Sequence, residues 1–455
     1  MNDPARTKAL IDKMTKAGVK YVQIEVPDMD GMLRGKITKP SKGLGDLGNA
    51  YCTILYGLST QDDVMESKFS SFENGFPDLF TVPDLDSAIH QTWRPEFASV
   101  VCDMVDPANG ELCPMSPRTV LRKAIDKAEA AGFDVRCAVE YETYIMHADN
   151  DLIKQGRHYD LPMLSRTMNA YSLTRIVDIE EIMREYHSRM ASVGIEIDAF
   201  HCELGYGQVE FALSHAPALE MADRAARAKL YFKQLCIEHG LVATFMSKWR
   251  IGDTGTGAHI HLSLWKDGKP AFSTGKAGGM STVGRQFAAG MMDVMPELTA
   301  IYNPVINSYR RRSSLQWCPE NASWAEDNRT AALRAITGPK PEGVRIETRQ
   351  PGGDMNPYLC IAACILSGLH GIENGLEPLS YATGNAGNDP RFRKLPRNLR
   401  DATRMFKESE KVQELFGSDF VGQYALTRDT ECDLYEQWVA ENVTEWELRR
   451  YFDTI

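Results

Sequence analysis

Three segments of the chain carry charged or polar side chains at every second residue, the spacing that sends them to one face of a β-strand, and a fourth adds acids beside them. Val139-Glu140-Tyr141-Glu142-Thr143 aims two carboxylates the same way. Ala258-His259-Ile260-His261-Leu262-Ser263 does so with two imidazoles and a hydroxyl, and Val344-Arg345-Ile346-Glu347-Thr348-Arg349 with Arg, Glu and Arg. The segment HCELGYGQVE, 201–210, adds Glu203 and Glu210 around a glycine-rich turn. Any one of these reads most simply as a solvated outer face, because charged residues are mostly exposed. If the four faces converge, carboxylates plus an imidazole make an oxygen-rich site suited to Mg²⁺ or Mn²⁺ rather than zinc. The neighbouring arginines would then neutralise phosphate oxygens, which their planar forks suit. Metals and arginines without an activated Ser or Cys describe a phosphoryl-transfer site.

Two further segments, NSYRRR at 307–312 and NRTAALR at 328–334, cluster cations on a chain whose formal net charge is −11. Clustering against the global balance points to an anionic ligand. No run of Lys or Arg is long enough to track a nucleic-acid backbone, so no nucleic-acid partner is expected. The first residues, MNDPARTKALIDKM, lack the apolar core of a signal peptide. The longest apolar stretch, 360–369, contains Ser and Gly and is too short to span a bilayer. None of the ten cysteines forms a CxxC pair, which fits reduced thiols in a cytoplasmic protein with no membrane partner.

The elements that must position these groups follow from periodicity. A helix is predicted over 5–18, strands over 21–26 and 33–38 joined by the turn Asp28-Met29-Asp30-Gly31, and further strands over 51–56 and 98–104. A Pro/Gly/Asp-rich connection is read over 73–85. From Arg118 the grain changes: helices over 119–131, 179–193 and 218–239 lead into strands over 135–146, 195–200 and 241–245, implying a sheet with helices packed outside it.

At this level the resemblance becomes specific. The ordered set VEYETY, HCELGYGQVE, ATFMSKW, GTGAHIHLS, NSYRR, NRTAALR, RIETR and NPYLCIAA, spanning 139–363, resembles the glutamine synthetases, with weaker similarity over nearly the whole chain. The resemblance implies an α+β fold: a small N-terminal β-grasp domain, 1–113, then a larger catalytic domain, 114–455, with a curved antiparallel sheet and outer helices. It implies a homo-oligomer, a double-ring dodecamer whose active sites lie between subunits. The implied reaction joins an amine to the glutamate side-chain carboxylate, with ATP as co-substrate and two or more Mg²⁺ or Mn²⁺ ions per site.

Position by position, Glu142, Glu203 and Glu210 resemble the ligands of one metal; Glu140, His259 and Glu347 resemble those of the other. His261, Ser263 and Arg345 resemble nucleotide contacts. Gly255, Arg311 and Arg349 resemble the glutamate site, and Arg329 and Arg334 the cations around the transferred phosphoryl group. Tyr171 resembles a tyrosine of the ammonium pocket.

The resemblance departs from the ammonia-using members at the amine end. Where they carry an acidic FDGSS-like turn, this chain has Leu55-Tyr56-Gly57-Leu58-Ser59, with Tyr56 at the Asp position and Asp62 and Asp63 close behind. Where their flap carries a Glu, ungapped spacing puts Trp317, with Glu320 three residues on. Two aromatics in place of two acids suit an amine bearing alkyl groups, as in the branch making γ-glutamyl amides of methylamine, ethanolamine or polyamines; methylamine leads that set. Asp62, Asp63, Glu320 and Tyr171 are the candidate bases. A glutamine synthetase with relocated acids is the alternative, and a non-catalytic ring protein, which would have lost metal ligands, is a third reading. No counterpart of the adenylylated tyrosine segment is found.

Overall fold

The computed structural model describes residues 1–313 and 317–455. Its N-terminal part is a sheet in the order Leu33–Thr38, Tyr21–Pro27, Phe97–Val105, Asp78–Pro83, Ala50–Cys52, with Ile89–His90 added on Phe97–Val105. The two central strands run parallel and the rest antiparallel. Tyr21–Pro27 is buried along most of its length, and the helix Pro4–Lys16, capped by Asp3, precedes it.

Two expectations here need correction. The connection read over 73–85 contains the strand Asp78–Pro83, whose Leu79, Thr81 and Pro83 are buried at alternate positions; the flanking prolines and aspartates masked a short period-2 run. The strand expected over 51–56 stops at Cys52, whose Sγ accepts from the Ile54 amide and starts a 3₁₀ turn, Thr53–Gly57.

The larger part is built on a sheet in the order Trp324–Glu326, Leu333–Ile336, Arg345–Thr348, Ala258–Lys266, Asp134–His147, Gln208–Leu213, Ile197–Cys202. All pairs on this path are antiparallel except the first. The helices Pro117–Ala130 and Ala218–Glu238 pack beside it, and Pro357–Glu373 packs on those two helices. Pro357–Glu373 holds the long apolar run and is buried almost all round. It approaches the helix Thr282–Val294 so closely that a Cβ on Gly371 would lie 2.0 Å from the Gln286 carbonyl oxygen. No helix among the described residues is long and apolar enough to cross a membrane.

The two parts are joined through Arg118, which is fully buried. Its guanidinium donates to Asp84 (2.6 Å) and Asp103 (2.7 Å) of the N-terminal part, and to Asp223 (2.8 and 3.1 Å) on the helix Ala218–Glu238. Arg122 adds a second cation against Asp84 and Asp103. A buried charge of this kind persists only when paired on every side.

Candidate active site

Cross-strand register, rather than proximity in sequence, assembles the charged residues. Glu140 stands opposite His259, Glu142 opposite Glu210, and Glu210 opposite His201 on its other side. Glu347 stands opposite His261 and, on the far side, Arg334. Directly opposed residues share a face, so the four segments form one continuous polar face across five neighbouring strands.

Two clefts open on that face. One, of about 330 Å³, is lined by Glu140, His261, Ser263 and Arg345 together with Arg136 and Trp265. The other is lined by Glu142, Glu203, Gly255, His259, Arg311 and Arg349, with Trp317 at its edge. The groups resembling nucleotide contacts thus fall in the first, and those resembling the glutamate site in the second.

The acids are held individually. Glu142 Oε2 accepts from the Gly257 amide (2.9 Å) and from Gln208 Nε2 (3.1 Å), and Gln208 also donates to the Gly255 carbonyl (2.9 Å). Glu203 accepts from His201 Nε2 (3.1 Å) and from the Leu204 amide (3.1 Å). Burial first, then the charges of Glu142, Glu140 and Glu203, push the Glu210 carboxyl up to about 9. That excess of negative charge is what a divalent cation would neutralise, and the donors are hard oxygens suited to Mg²⁺ or Mn²⁺. Burial would also raise Glu347, but His259, Arg349, His261 and Arg334 outweigh it and hold that carboxyl at about 2. Burial would raise Glu140 as well, but the adjacent His259 and His261 rings outweigh it and pull its pKa down.

The two imidazoles differ in what they can offer. Arg345 Nε donates to His261 Nδ1 (3.0 Å), so in the neutral ring the proton sits on Nε2, 3.0 Å from Glu140 Oε1. Distance alone groups His261 with Glu140 and Glu347, yet with Nδ1 accepting from Arg345 the neutral ring carries its proton on Nε2, which has no hydrogen-bond partner among the described residues and no lone pair to offer a cation. His259 Nδ1 lies 3.5 Å from Glu140 and 3.6 Å from Glu347. The absence of a side chain at Gly257 makes room for its ring, since a Cβ there would lie 2.6 Å from His259 Nε2. His259 is therefore the imidazole better able to ligate beside Glu140 and Glu347.

The cations are held as firmly. Arg311 donates to the carbonyls of Gln350 (2.9 Å), Pro351 (2.8 Å) and Arg349 (3.2 Å). Arg349 bonds Glu347 and, through Nε, the Arg329 carbonyl (3.1 Å). Arg334 reaches Glu347 (3.0 Å) and Asp327 (2.5 Å). The Arg329 side chain is exposed. Ser263 Oγ accepts from the Trp265 indole (3.0 Å).

The amine-end expectations fare less evenly. Tyr56 is a correction: it is sealed in the interior at 0% exposure, so its ring lines neither cleft. Glu320 is another. It lines a separate cleft with Tyr309, Arg312, Leu395 and Arg397, its carboxylate 3.7 Å from Arg397. Asp62 pairs with Arg34 (2.5 Å) and Asp63 accepts from Ser59 Oγ (2.6 Å); neither lines the two clefts. Tyr171 is exposed, sits at φ +58° and stacks on His201 with centroids 4.8 Å apart. Burial of its hydroxyl, then the charges of Glu203 and Glu210, push its pKa up. Trp317, 51% exposed, borders the acidic cleft.

Sequence reasoning did not single out His201 or Gln208. Both lie in the same glycine-turn segment, each two residues from one of its acids.

Residues 114–451 match the family described as glutamine synthetase, catalytic domain. The chain is 36% identical to a glutamate–isopropylamine ligase of a Pseudomonas species, over 98% of this chain and 97% of that one. It is 33% identical to type-1 glutamine synthetase 2 of Dictyostelium discoideum, over 96% and 84%. A solved structure titled GmaS/ADP complex superposes with a TM-score of 0.84 at 26% identity, covering 98% of this chain and 99% of that one.

Proposed function

The chain belongs to the glutamine synthetase family, and on that premise we propose that this ATP-dependent C–N ligase joins glutamate to a small alkylamine, methylamine first among the candidates. The observation that carries the reading is the shared cleft in which Glu142, Glu203 and His259 meet Gly255, Arg311 and Arg349, with Trp317 at its edge.

In the first step the glutamate γ-carboxylate attacks the terminal phosphorus of ATP in line; the new P–O bond forms as the bond to ADP breaks. Arg311 and Arg349 orient the glutamate, and Arg329 and Arg334 face the transferred group, whose charge spreads over its equatorial oxygens. His261 and Arg345 donate toward the nucleotide phosphates. Mg²⁺ or Mn²⁺, held by Glu142, Glu203 and Glu210 and by Glu140, His259 and Glu347, would supply further neutralisation of the phosphates. In the second step a neutral amine attacks the acyl carbon of γ-glutamyl phosphate and expels phosphate. Water must stay out until then, or hydrolysis would consume the intermediate.

An alkylammonium must first lose a proton. Tyr171 is a phenol, ordinarily protonated near neutral pH, and Glu320 faces another cleft, which leaves Asp62 and Asp63 as the proposed bases. Both lie on the N-terminal part, outside both clefts, so their role calls for a second copy of the chain. A ring oligomer, a double-ring dodecamer, is proposed on that ground, and light scattering reads it.

Trp317 supplies an apolar and π surface where an alkyl group would rest, at about 0.8 kcal/mol per buried CH₂. The test is ADP release with glutamate across ammonia, methylamine, isopropylamine, ethanolamine and putrescine. An alkylamine is expected to exceed ammonia about tenfold in kcat/KM, roughly 1.4 kcal/mol of transition-state preference. Ammonia as the best acceptor would replace this reading with glutamine synthesis, the activity named for the Dictyostelium relative.

A further inference from the structure

The loop that follows Arg349 contains a carboxylate that no step above uses. Asp354 Oδ1 accepts from Ser247 Oγ (2.9 Å) and Oδ2 from Ser308 Oγ (2.8 Å). The two serines belong to segments far apart in sequence: Ser247 precedes the loop carrying Gly255 and Gly257, and Ser308 lies in the 3₁₀ segment Ile306–Ser313 that carries Arg311. Asn307 already ties two of these segments together, accepting from the Lys248 amide (2.9 Å) and donating to the Lys248 carbonyl (2.7 Å). Asp354 adds the third.

The geometry of the 3₁₀ segment gives that bond its consequence. With three residues per turn, side chains at i and i+3 eclipse, so Ser308 and Arg311 project from the same side. The loop grips that side twice. The Asp354 carboxylate holds Ser308, and the carbonyls of Arg349, Gln350 and Pro351 hold the Arg311 guanidinium one turn later. Both grips come from one short stretch of chain, packed too closely for side chains at its glycines: a Cβ on Gly352 would lie 1.7 Å from Ser247 Oγ. Lys229 Nζ anchors the same stretch from beneath, donating to the Gly353 carbonyl (2.9 Å).

We propose that Asp354 is a positioning residue for glutamate binding, setting through Ser308 the orientation of the 3₁₀ segment and hence of the Arg311 guanidinium in the cleft. The inference rests on the glutamate ligase reading. Without the carboxylate, Ser308 loses its anchor while the Asn307 clamp keeps the segment folded, so the guanidinium shifts rather than unfolds. Misplacing a substrate-orienting group by a fraction of an ångström to 1 Å costs up to about 10²-fold. The loss should fall on glutamate and spare ATP, whose contacts line the other cleft.

The test compares Asp354→Ala, Asp354→Asn, Ser308→Ala and Ser247→Ala in the full-length protein, measuring KM for glutamate and for ATP by ADP release, with thermal unfolding alongside. Asp354→Ala is expected to raise the glutamate KM about tenfold and leave the ATP KM within about twofold. Asp354→Asn, which keeps one oxygen acceptor, should recover most of the loss. Ser308→Ala should reproduce the glutamate effect and be non-additive with Asp354→Ala, whereas Ser247→Ala should change it less. Equal rises in both KM values, an unchanged glutamate KM at lowered stability, or additivity with Ser308→Ala would overturn the proposal. If Asp354→Ala does not fold, Ser308→Ala and Asp354→Asn decide by the same KM split. Wild-type protein without glutamate-dependent ADP release would instead overturn the ligase reading itself.

Discussion

The two ends of the candidate active site are built differently. At the acid and arginine end the charged groups, the exposed Arg329 apart, stand on a ladder strand or are bonded to backbone: Glu142 to the Gly257 amide, Glu203 to the Leu204 amide, Arg311 to three carbonyls. At the amine end Tyr171 sits at a positive φ in a loop, and Trp317 borders the cleft half exposed. The first end has its geometry set by β-register, where a slip of one residue would turn every side chain away. The second is carried by loops that can vary without disturbing the sheet. Phosphoryl transfer needs preorganised charge, whereas choice of acceptor needs a surface that can be altered cheaply, so the proposed chemistry falls on the rigid end and the proposed specificity on the variable one.

The sharpest way to break this contrast is at Glu142. Glu142→Ala removes a cleft carboxylate and the acceptor of both the Gly257 amide and Gln208. ADP release should fall by about 10³-fold or more while the circular dichroism spectrum is retained. Wild-type turnover would sink the assignment of this face to the reaction.

A comparable effect, on stability rather than rate, is expected at the joint between the two parts. Arg118→Ala leaves the Asp84, Asp103 and Asp223 carboxylates without their shared cation. Denaturant unfolding should show a loss of about 3–5 kcal/mol. A loss below about 1 kcal/mol would mean that Arg122 alone can neutralise Asp84 and Asp103.

The smallest effect belongs to the loop-borne end. Trp317→Ala should leave the KM for ATP unchanged and lower the alkylamine-to-ammonia ratio of kcat/KM by about tenfold, roughly 1.4 kcal/mol. An unchanged ratio with reduced overall rate would remove Trp317 from acceptor choice and merge the two ends into one.

Legibility in the sequence followed the same division. Alternation marked Glu140 and Glu142, His259 and His261, and Arg345, Glu347 and Arg349, because period 2 is a local property that a strand imposes on its own residues. His201 and Gln208 lie inside the motif HCELGYGQVE, where the acids drew the metal reading and these two residues received no role. At the amine end, matching positions suggested that Tyr56 and Glu320 line the pocket, but burial and loop direction are not local properties. Tyr56 turns into the interior from a 3₁₀ turn that begins where a strand was expected to continue. Glu320 lies three residues beyond Trp317, yet it faces a different cleft.

What the sequence determined by itself is which side chains share a face, the order of its motifs, and the excess of helix and strand periodicities that make a sheet covered by helices. Which faces meet was decided only by the tertiary structure. The pairing of Glu142 with Glu210 joins positions 68 residues apart, and that of His261 with Glu347 joins positions 86 apart. Such pairings arise when the burial of Tyr141, Val209, Phe211, Ile260 and Ile346 selects one register for the whole sheet. The polar face then assembles as its reverse side.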